Sequence, residues 1–280
     1  MADPTRPAAL LRQLQGQARK RFGQHFLTNA ATVQKIVARA EVGEGSAVLE
    51  IGPGLGVLTE ALLAAGAQVT AVELDRDLAA FLRARHPSLR LIEGDALKQD
   101  WAALLPGSGW RCVANLPYNV GTRLVTELIT QPQTFARLVV MLQREVAERM
   151  VAPVGSRKRG SLSVHMEAFS EARLAIRVPP GAFHPPPKVD SAVIDVRIRQ
   201  TPRIGSVSTE QFTAVNRAAF SAPRKTLRNA LRTVFPTAVV TTGLERAGVD
   251  GGCRASVLTL EEVIRLAEAL PSVEGDGRLR

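Results

Sequence analysis

Cysteine is nearly absent. The 280-residue chain has two, Cys112 and Cys253, far apart and in no CxxC pair, so neither a disulfide framework nor a structural zinc site is expected. Histidine is almost as scarce, with four residues and no HExxH spacing, which removes the usual zinc-hydrolase helix. No apolar run is long enough to span a bilayer, and the N-terminal stretch lacks the clear hydrophobic segment of a secretory leader. These absences point to a protein of the reducing cytoplasm with no metal and no membrane partner. Acidic residues are the other shortage: 26 Asp and Glu stand against 36 Lys and Arg, for a formal net charge of +10. A basic surface attracts polyanions and speeds encounter with them. An excess of this size, with arginine and lysine clustered, favours a nucleic-acid partner over general solubility. Residues 1–20 form a basic tail whose sole acid is Asp3; it reads as an RNA-facing or solvated arm rather than a transit peptide.

The chain is otherwise ordinary, 45% apolar and long enough for one large domain or a large and a small one. Thr28 or Asn29 can cap a helix running to about Ala40, with Val33, Ile36 and Val37 on one face. Apolar runs at 48–51, 69–74, 89–93, 111–115 and 137–142 then read as strands, with helical patterns at 57–65, 77–85 and 122–130 between them. Fully apolar strands separated by helices imply a parallel sheet covered on both faces. A helical stretch at 145–151 precedes a loop with three consecutive cations, Arg157, Lys158 and Arg159, which is either a solvated surface loop or one that contacts phosphates. Residues 161–169 can be helical, since Leu162, His165, Met166 and Phe169 share a face. Strands are expected at 172–178 and 192–199, on either side of a proline-rich segment. Residues 201–206 look like a linker, so the expected domains are 1–204 and 205–280. The second domain carries helical patterns at 209–219, 224–234, 242–247 and 260–270, with Arg224, Lys225 and Arg228 on a basic face and a frayed end beyond Pro271.

Chemistry concentrates at the carboxyl ends of the strands, where open α/β sheets bind ligands. The first strand ends in Glu50-Ile51-Gly52-Pro53-Gly54-Leu55-Gly56. Three glycines in five positions allow a sharp strand-to-helix turn and leave bare backbone for a ligand to approach, although a plain tight turn has the same composition. Glu73 ends the second strand about 20 residues past the first glycine, where an acid can accept hydrogen bonds from both hydroxyls of a ribose. That placement suits NAD and any other adenosine cofactor. Asp95 follows the third strand and can accept from an adenine amino group. The discriminating stretch is Asn115-Leu116-Pro117-Tyr118, after the fourth. An exocyclic base amine is a poor nucleophile because its lone pair is delocalised into the ring. The Asn115 amide oxygen and the Leu116 carbonyl, held by Pro117, can accept its two hydrogens and free that lone pair, while Tyr118 stacks on the flipped base.

Together these stretches resemble the KsgA/Dim1 family of S-adenosylmethionine-dependent ribosomal RNA adenine N6,N6-dimethyltransferases. The resemblance extends to residues 23–27, to Phe183-His184-Pro185-Pro186-Pro187-Lys188-Val189-Asp190-Ser191, and to Phe220 with Arg224-Lys225-Thr226-Leu227-Arg228-Asn229. It implies a Rossmann-like α/β domain with the seven-stranded sheet of class I methyltransferases, followed by a small all-α domain that contacts RNA. It implies a cofactor pocket formed by His25, Leu27, Glu50, Gly52, Gly54, Glu73, Asp95, Ala96 and Asn115. The target adenine would be held by Asn115, Leu116, Tyr118 and Phe183, with Phe183 stacking on it. The implied substrate is small-subunit rRNA in an assembling 30S particle, modified by a monomer; phosphate contacts would come from Arg157, Lys158, Arg159, Arg224, Lys225 and Arg228. Two positions depart from the family pattern: His25 stands where many relatives carry asparagine, and Arg159 precedes Gly160 where an aromatic is frequent.

Overall fold

The computed structural model describes residues 25–272; the basic tail at 1–20, the Gly23–Gln24 pair and the chain end from 273 lie outside that range. The described chain opens with β1 (Phe26–Leu27) and α1 (Ala30–Ala40). The Asn29 side chain caps α1 by accepting the Thr32 N–H, and the helix buries Val33, Ile36, Val37 and Ala40. Next come β2 (Ala47–Ile51), α2 (Val57–Ala64), β3 (Gln68–Glu73), α3 (Arg76–Arg85) and β4 (Arg90–Glu93). They are followed by α4 (Trp101–Leu104), β5 (Trp110–Asn115), α5 (Gly121–Leu128) and β6 (Phe135–Gln143). After α6 (Arg144–Met150) and α7 (Ser161–Phe169) come β7 (Ser170–Val178), β8 (Phe183–His184) and β9 (Ser191–Ile198).

Seven strands form one sheet in the order β4-β3-β2-β5-β6-β9-β7, and β1 pairs separately with β8. From β4 to β6 the neighbours are parallel. The strands between 48 and 142, read as parallel from the sequence, are parallel, and β9 runs antiparallel to β6. The central strands are buried on both faces, which accounts for their unbroken apolar runs. One face packs Val48, Val69, Val113 and Met141 against Val33, Ile36 and Leu62. The strand order turns back between β2 and β5, which sends their following helices to opposite faces and opens a crevice at the carboxyl ends.

A buried ionic cluster ties the antiparallel edge together. Asp195 on β9 is 1% exposed. It accepts from Arg137 at 2.8 and 3.2 Å and from Arg173 at 3.2 and 2.9 Å. Burial alone would push its carboxyl up, but the hydrogen bonds from Arg137 and Arg173 outweigh burial and hold it below the usual carboxylate range. Removing one partner of a buried pair strands the other charge. Asp195→Ala is therefore expected to cost about 3 kcal/mol of stability, read from the midpoint of a urea unfolding curve.

The chain divides into two units, Met1–Ala147 with Ala172–Gln200, and Glu148–Glu171 with Thr201–Arg280. This differs from the 204/205 boundary suggested by the linker composition, because α7 joins the helical unit. Its Phe169 meets Phe212 edge-on at a centroid distance of 6.0 Å. The rest of that unit is α8 (Thr209–Ala219), α9 (Leu227–Leu231), α10 (Thr237–Ala247) and α11 (Leu260–Ala269). A reciprocal cap starts α11: Thr259 accepts from the Glu262 N–H, and Glu262 accepts from the Thr259 N–H.

Candidate active site

The carboxyl ends of β2, β3, β4 and β5 enclose one cavity, and eleven of the residues singled out from the sequence line it: His25, Leu27, Glu50, Gly52, Gly54, Glu73, Asp95, Ala96, Asn115, Leu116 and Tyr118. Its floor is the glycine turn. Gly54 takes a φ of +58° and its N–H donates to Glu73 Oε2 at 3.1 Å. A Cβ at that position would also stand 3.1 Å from the Phe26 ring. Both the left-handed backbone and the close approach therefore require glycine. The other Glu73 oxygen accepts from the Asp75 N–H at 2.9 Å. A carboxylate offers about four lone-pair positions, so two backbone donors fix Glu73 without exhausting it.

Glu50 is the most deeply placed acid, 1% exposed, with Oε2 accepting from the Thr59 hydroxyl at 2.6 Å. Burial is the main cause that pushes its carboxyl up to about 8; the Thr59 bond opposes the rise and the nearby Glu73 charge adds to it. Burial likewise raises Glu73, against its bonds from Asp75 and Gly54. Asp95 accepts from the Leu97 N–H at 2.9 Å, starting the short turn Ala96–Lys98. Four carboxylates line the cavity and no lysine or arginine does. Such a donor set repels a pyrophosphate and suits a ligand that carries positive charge, an ammonium and a sulfonium among them.

The Asn115–Tyr118 turn forms the far wall. Asn115 Nδ2 donates to the His25 carbonyl at 3.3 Å, which leaves Oδ1 as the face that can accept. The Leu116 N–H is tied to Met141, while the Pro117 carbonyl takes the Val120 and Gly121 N–H groups. The Leu116 carbonyl thus accepts no backbone bond among the described residues. His25 is held by its Nδ1, 2.8 Å from the Pro185 carbonyl; a carbonyl only accepts, so this nitrogen carries a proton. Its ring lies 6.0 Å from that of Tyr118, the chain's single tyrosine. The departure from asparagine therefore keeps a side-chain contact at the rim.

Two expected site residues sit elsewhere. Phe183 does not line the cavity; it is 4% exposed and packed in the core with Leu27, Val33 and Val193. β8 pairs with β1, Phe183 opposite Leu27, and side chains alternate along a strand, so Phe183 turns inward while His184 is exposed. Its register partner Leu27 lines the cavity and is itself buried. Arg159 is 6% exposed and braces the helical unit, donating to Glu167 at 2.9 Å and to the Leu258 and Ala152 carbonyls at 3.3 Å. It is withdrawn from phosphate contact by the desolvation it has already undergone. Arg157, Arg224 and Lys225 are exposed and Arg228 partly so; Lys158 pairs with Glu148 at the surface. Among residues not singled out from the sequence, Leu74 lines the cavity while 54% exposed. An apolar residue directly after a strand-end acid was the available signal. No group of three or more His, Cys, Asp or Glu among the described residues is arranged to hold a metal ion.

A seven-stranded sheet with β9 antiparallel to β6, a glycine turn after β2 and an acid-lined crevice together define a class I S-adenosylmethionine-dependent methyltransferase. Comparison with solved structures agrees. A dimethyladenosine transferase from Plasmodium falciparum superposes with a TM-score of 0.73 at 27% identity, covering 86% of this chain and 96% of that one. The 23S rRNA methyltransferase ErmE gives 0.65 at 28%, covering 88% and 99%. Residues 15–271 match the family model for ribosomal RNA adenine dimethylase. The chain belongs to that family: it is an enzyme that dimethylates adenine in ribosomal RNA with S-adenosylmethionine. Curated relatives include ribosomal RNA small subunit methyltransferase A of Syntrophotalea carbinolica, 44% identical over 257 residues that make up 90% of this chain and 96% of that protein. Its counterpart from Thermosynechococcus vestitus is 42% identical over 266 residues, 92% and 98% of the two chains.

Proposed function

We propose that the enzyme dimethylates N6 of adjacent adenosines near the 3′ end of small-subunit (16S) rRNA, acting in the cytoplasm as a monomer on an assembling 30S particle. The observation that supports the target atom is Asn115, whose Nδ2 is taken by the His25 carbonyl so that Oδ1 is left to accept, beside Leu116 in the lining of a cavity with four carboxylates and no lysine or arginine. The small-subunit name borne by its relatives supports the choice of RNA.

The lining acids divide the work of holding the cofactor. Glu73 takes the ribose hydroxyls, Asp95 with Ala96 the adenine, and Glu50 with the Gly52–Gly54 turn the charged methionine end; His25, Leu27 and Asn115 close the remaining side. S-adenosylmethionine bound there supplies a methyl group on a sulfonium. Asn115 and Leu116 accept the two N6 hydrogens of the incoming adenine, which directs the nitrogen lone pair out of the ring plane. Tyr118 stacks on the base and fixes its distance. As the carbon–sulfur bond breaks and the carbon–nitrogen bond forms, the positively charged N6 becomes acidic and releases a proton to water. The protein contributes position and a dry, preorganised environment rather than a strong base. Arg157, Lys158, Arg224, Lys225 and Arg228 hold the RNA through its phosphates, which makes affinity fall steeply with salt.

The test is incubation with labelled cofactor and isolated 30S or 50S particles, followed by mass spectrometry of the rRNA. Dimethyladenosine in adjacent positions of the small-subunit RNA is the expected product. Label confined to 50S particles or to naked large-subunit RNA would overturn the assignment in favour of the activity named for ErmE.

A further inference from the structure

We propose that Ser191 is a positioning residue for methyl transfer, its hydroxyl holding the Tyr118 ring in the one orientation that lets a half-methylated adenine react again. The proposal rests on the reading of Tyr118 as the ring that stacks on the target base.

Ser191 is fully buried, 0% exposed, and its Oγ lies 2.8 Å from the Tyr118 hydroxyl. A buried hydroxyl is nearly always paired, and here the pairing joins two segments far apart in sequence. The serine end is rigid. Ser191 is the first residue of β9, in register with Gln143 at the end of β6. Its neighbour Asp190 is clamped through both main chain and side chain, the carbonyl accepting from the Arg144 N–H at 2.9 Å and the carboxylate from the Arg144 guanidinium at 3.1 Å. The tyrosine end is the adjustable one. Tyr118 lies on the turn after β5, half-buried where it lines the cavity, and its ring lies 6.0 Å from the His25 ring at a tilt of 32°. Two free torsions would let such a ring swing; a bond at its far end removes that freedom. Burial pushes the Tyr118 phenol up, against the Ser191 bond, so it stays protonated and able to donate.

The consequence falls on the second methylation. An unmodified adenine has two N6 hydrogens, one for each acceptor, and these alone orient it. N6-methyladenine has one left and must also accommodate a methyl group, so its alignment depends more on the stacking ring. Losing the tether should therefore slow the second transfer more than the first.

The experiment is single-turnover methylation of 30S particles by Ser191→Ala, Tyr118→Phe and the double variant, with mono- and dimethyladenosine counted by mass spectrometry. Tyr118→Phe keeps the ring and removes the other end of the tether, so it reads the same bond without substituting the buried residue. The second transfer is expected to slow on the order of tenfold, with monomethyladenosine accumulating. In Ser191→Ala the first transfer and the KM for cofactor should change less than about threefold, and the double variant should be no worse than either single one. An unchanged product ratio in Ser191→Ala, or effects that add in the double variant, would make Ser191 a packing residue and overturn the proposal. Tyr118→Ala separates the two levels. If that variant turns over normally, the stacking reading itself fails; if it is inactive while Ser191→Ala has a normal product ratio, the positioning role alone fails.

Discussion

Replacing Asn115 with alanine is expected to lower the rate of methyl transfer by about 1,000-fold or more while RNA binding stays within a few-fold of normal. An adenine N6 lone pair conjugated with the ring is not available to attack a sulfonium. Acceptors aimed at the two hydrogens favour the pyramidal nitrogen of the transition state over the planar ground state, so their contribution appears in the rate rather than in affinity. The structure says which atom of Asn115 does this. Nδ2 is bound to the His25 carbonyl at 3.3 Å, so the amide cannot turn over without losing that bond, and Oδ1 faces the cavity. Aspartate at this position sharpens the test. It keeps an acceptor but replaces the Nδ2 donor with an oxygen that repels the His25 carbonyl, so Asn115→Asp should be impaired yet more active than Asn115→Ala. Single-turnover rates set beside filter-binding affinities for the same RNA check both statements. Near-normal turnover in the alanine variant would sink the role of the amide.

Much of this site could be read before the fold was known because its residues follow a rule of topology. Ligand groups of an open α/β sheet sit where parallel strands end, and the apolar runs in this chain are clean enough to mark those ends to within a residue or two. Glu50, Glu73, Asp95 and Asn115 are all found by walking to the end of each run. What the sequence concealed were contacts with no periodicity to announce them. β1 and β8 have two residues each and pair across more than 150 positions, so no local pattern announces that Phe183 packs beside Leu27. Arg159 looked like its neighbours Arg157 and Lys158 because burial of a guanidinium depends on partners, Glu167 and two carbonyls, that no local pattern identifies. The basic helix expected at 224–234 proved to be the five-residue α9, starting after Thr226, so Arg224 and Lys225 sit on the turn ahead of it. Conversely α10 begins at Thr237, five residues before the expected start. The β-branched residues Thr237, Val239, Val240, Thr241 and Thr242 have weak helix propensity, and packing of Val240 and Leu244 overrides it.

Glu50 should make both stability and cofactor affinity depend on pH, and Glu50→Gln should remove both dependences. In the folded protein burial raises this carboxyl to about 8 from an ordinary value of 4.5. Between those two values the unfolded chain has lost the proton and the native protein keeps it, so unfolding releases a proton and stability falls as pH rises. Below the lower value both states are protonated and there is no penalty; above the upper one both are ionised and the penalty is complete. A shift of this size corresponds to a stability difference on the order of 4 kcal/mol across the window. Urea unfolding should accordingly find Glu50→Gln similar to the parent near pH 4 and markedly more stable at pH 8. The cost has a functional counterpart. A positively charged ligand end favours the ionised carboxylate, so cofactor capture below pH 8 must expel the proton, and affinity should rise with pH across the same range. Glu73, also raised by burial, shares the cavity and will round the profile without reversing it. Calorimetric titration in buffers of different ionisation enthalpy reads the proton directly: the parent protein should release a sizeable fraction of one proton per cofactor at neutral pH. Glu50→Gln should release far less and bind at least tenfold more weakly. If the variant binds as tightly as the parent and stability shows no gain at pH 8, then Glu50 neither carries a trapped proton nor faces the cation. The stability forgone in burying an acid beside Glu73 is then the thermodynamic source of selectivity for a cationic cofactor over a phosphate-bearing one.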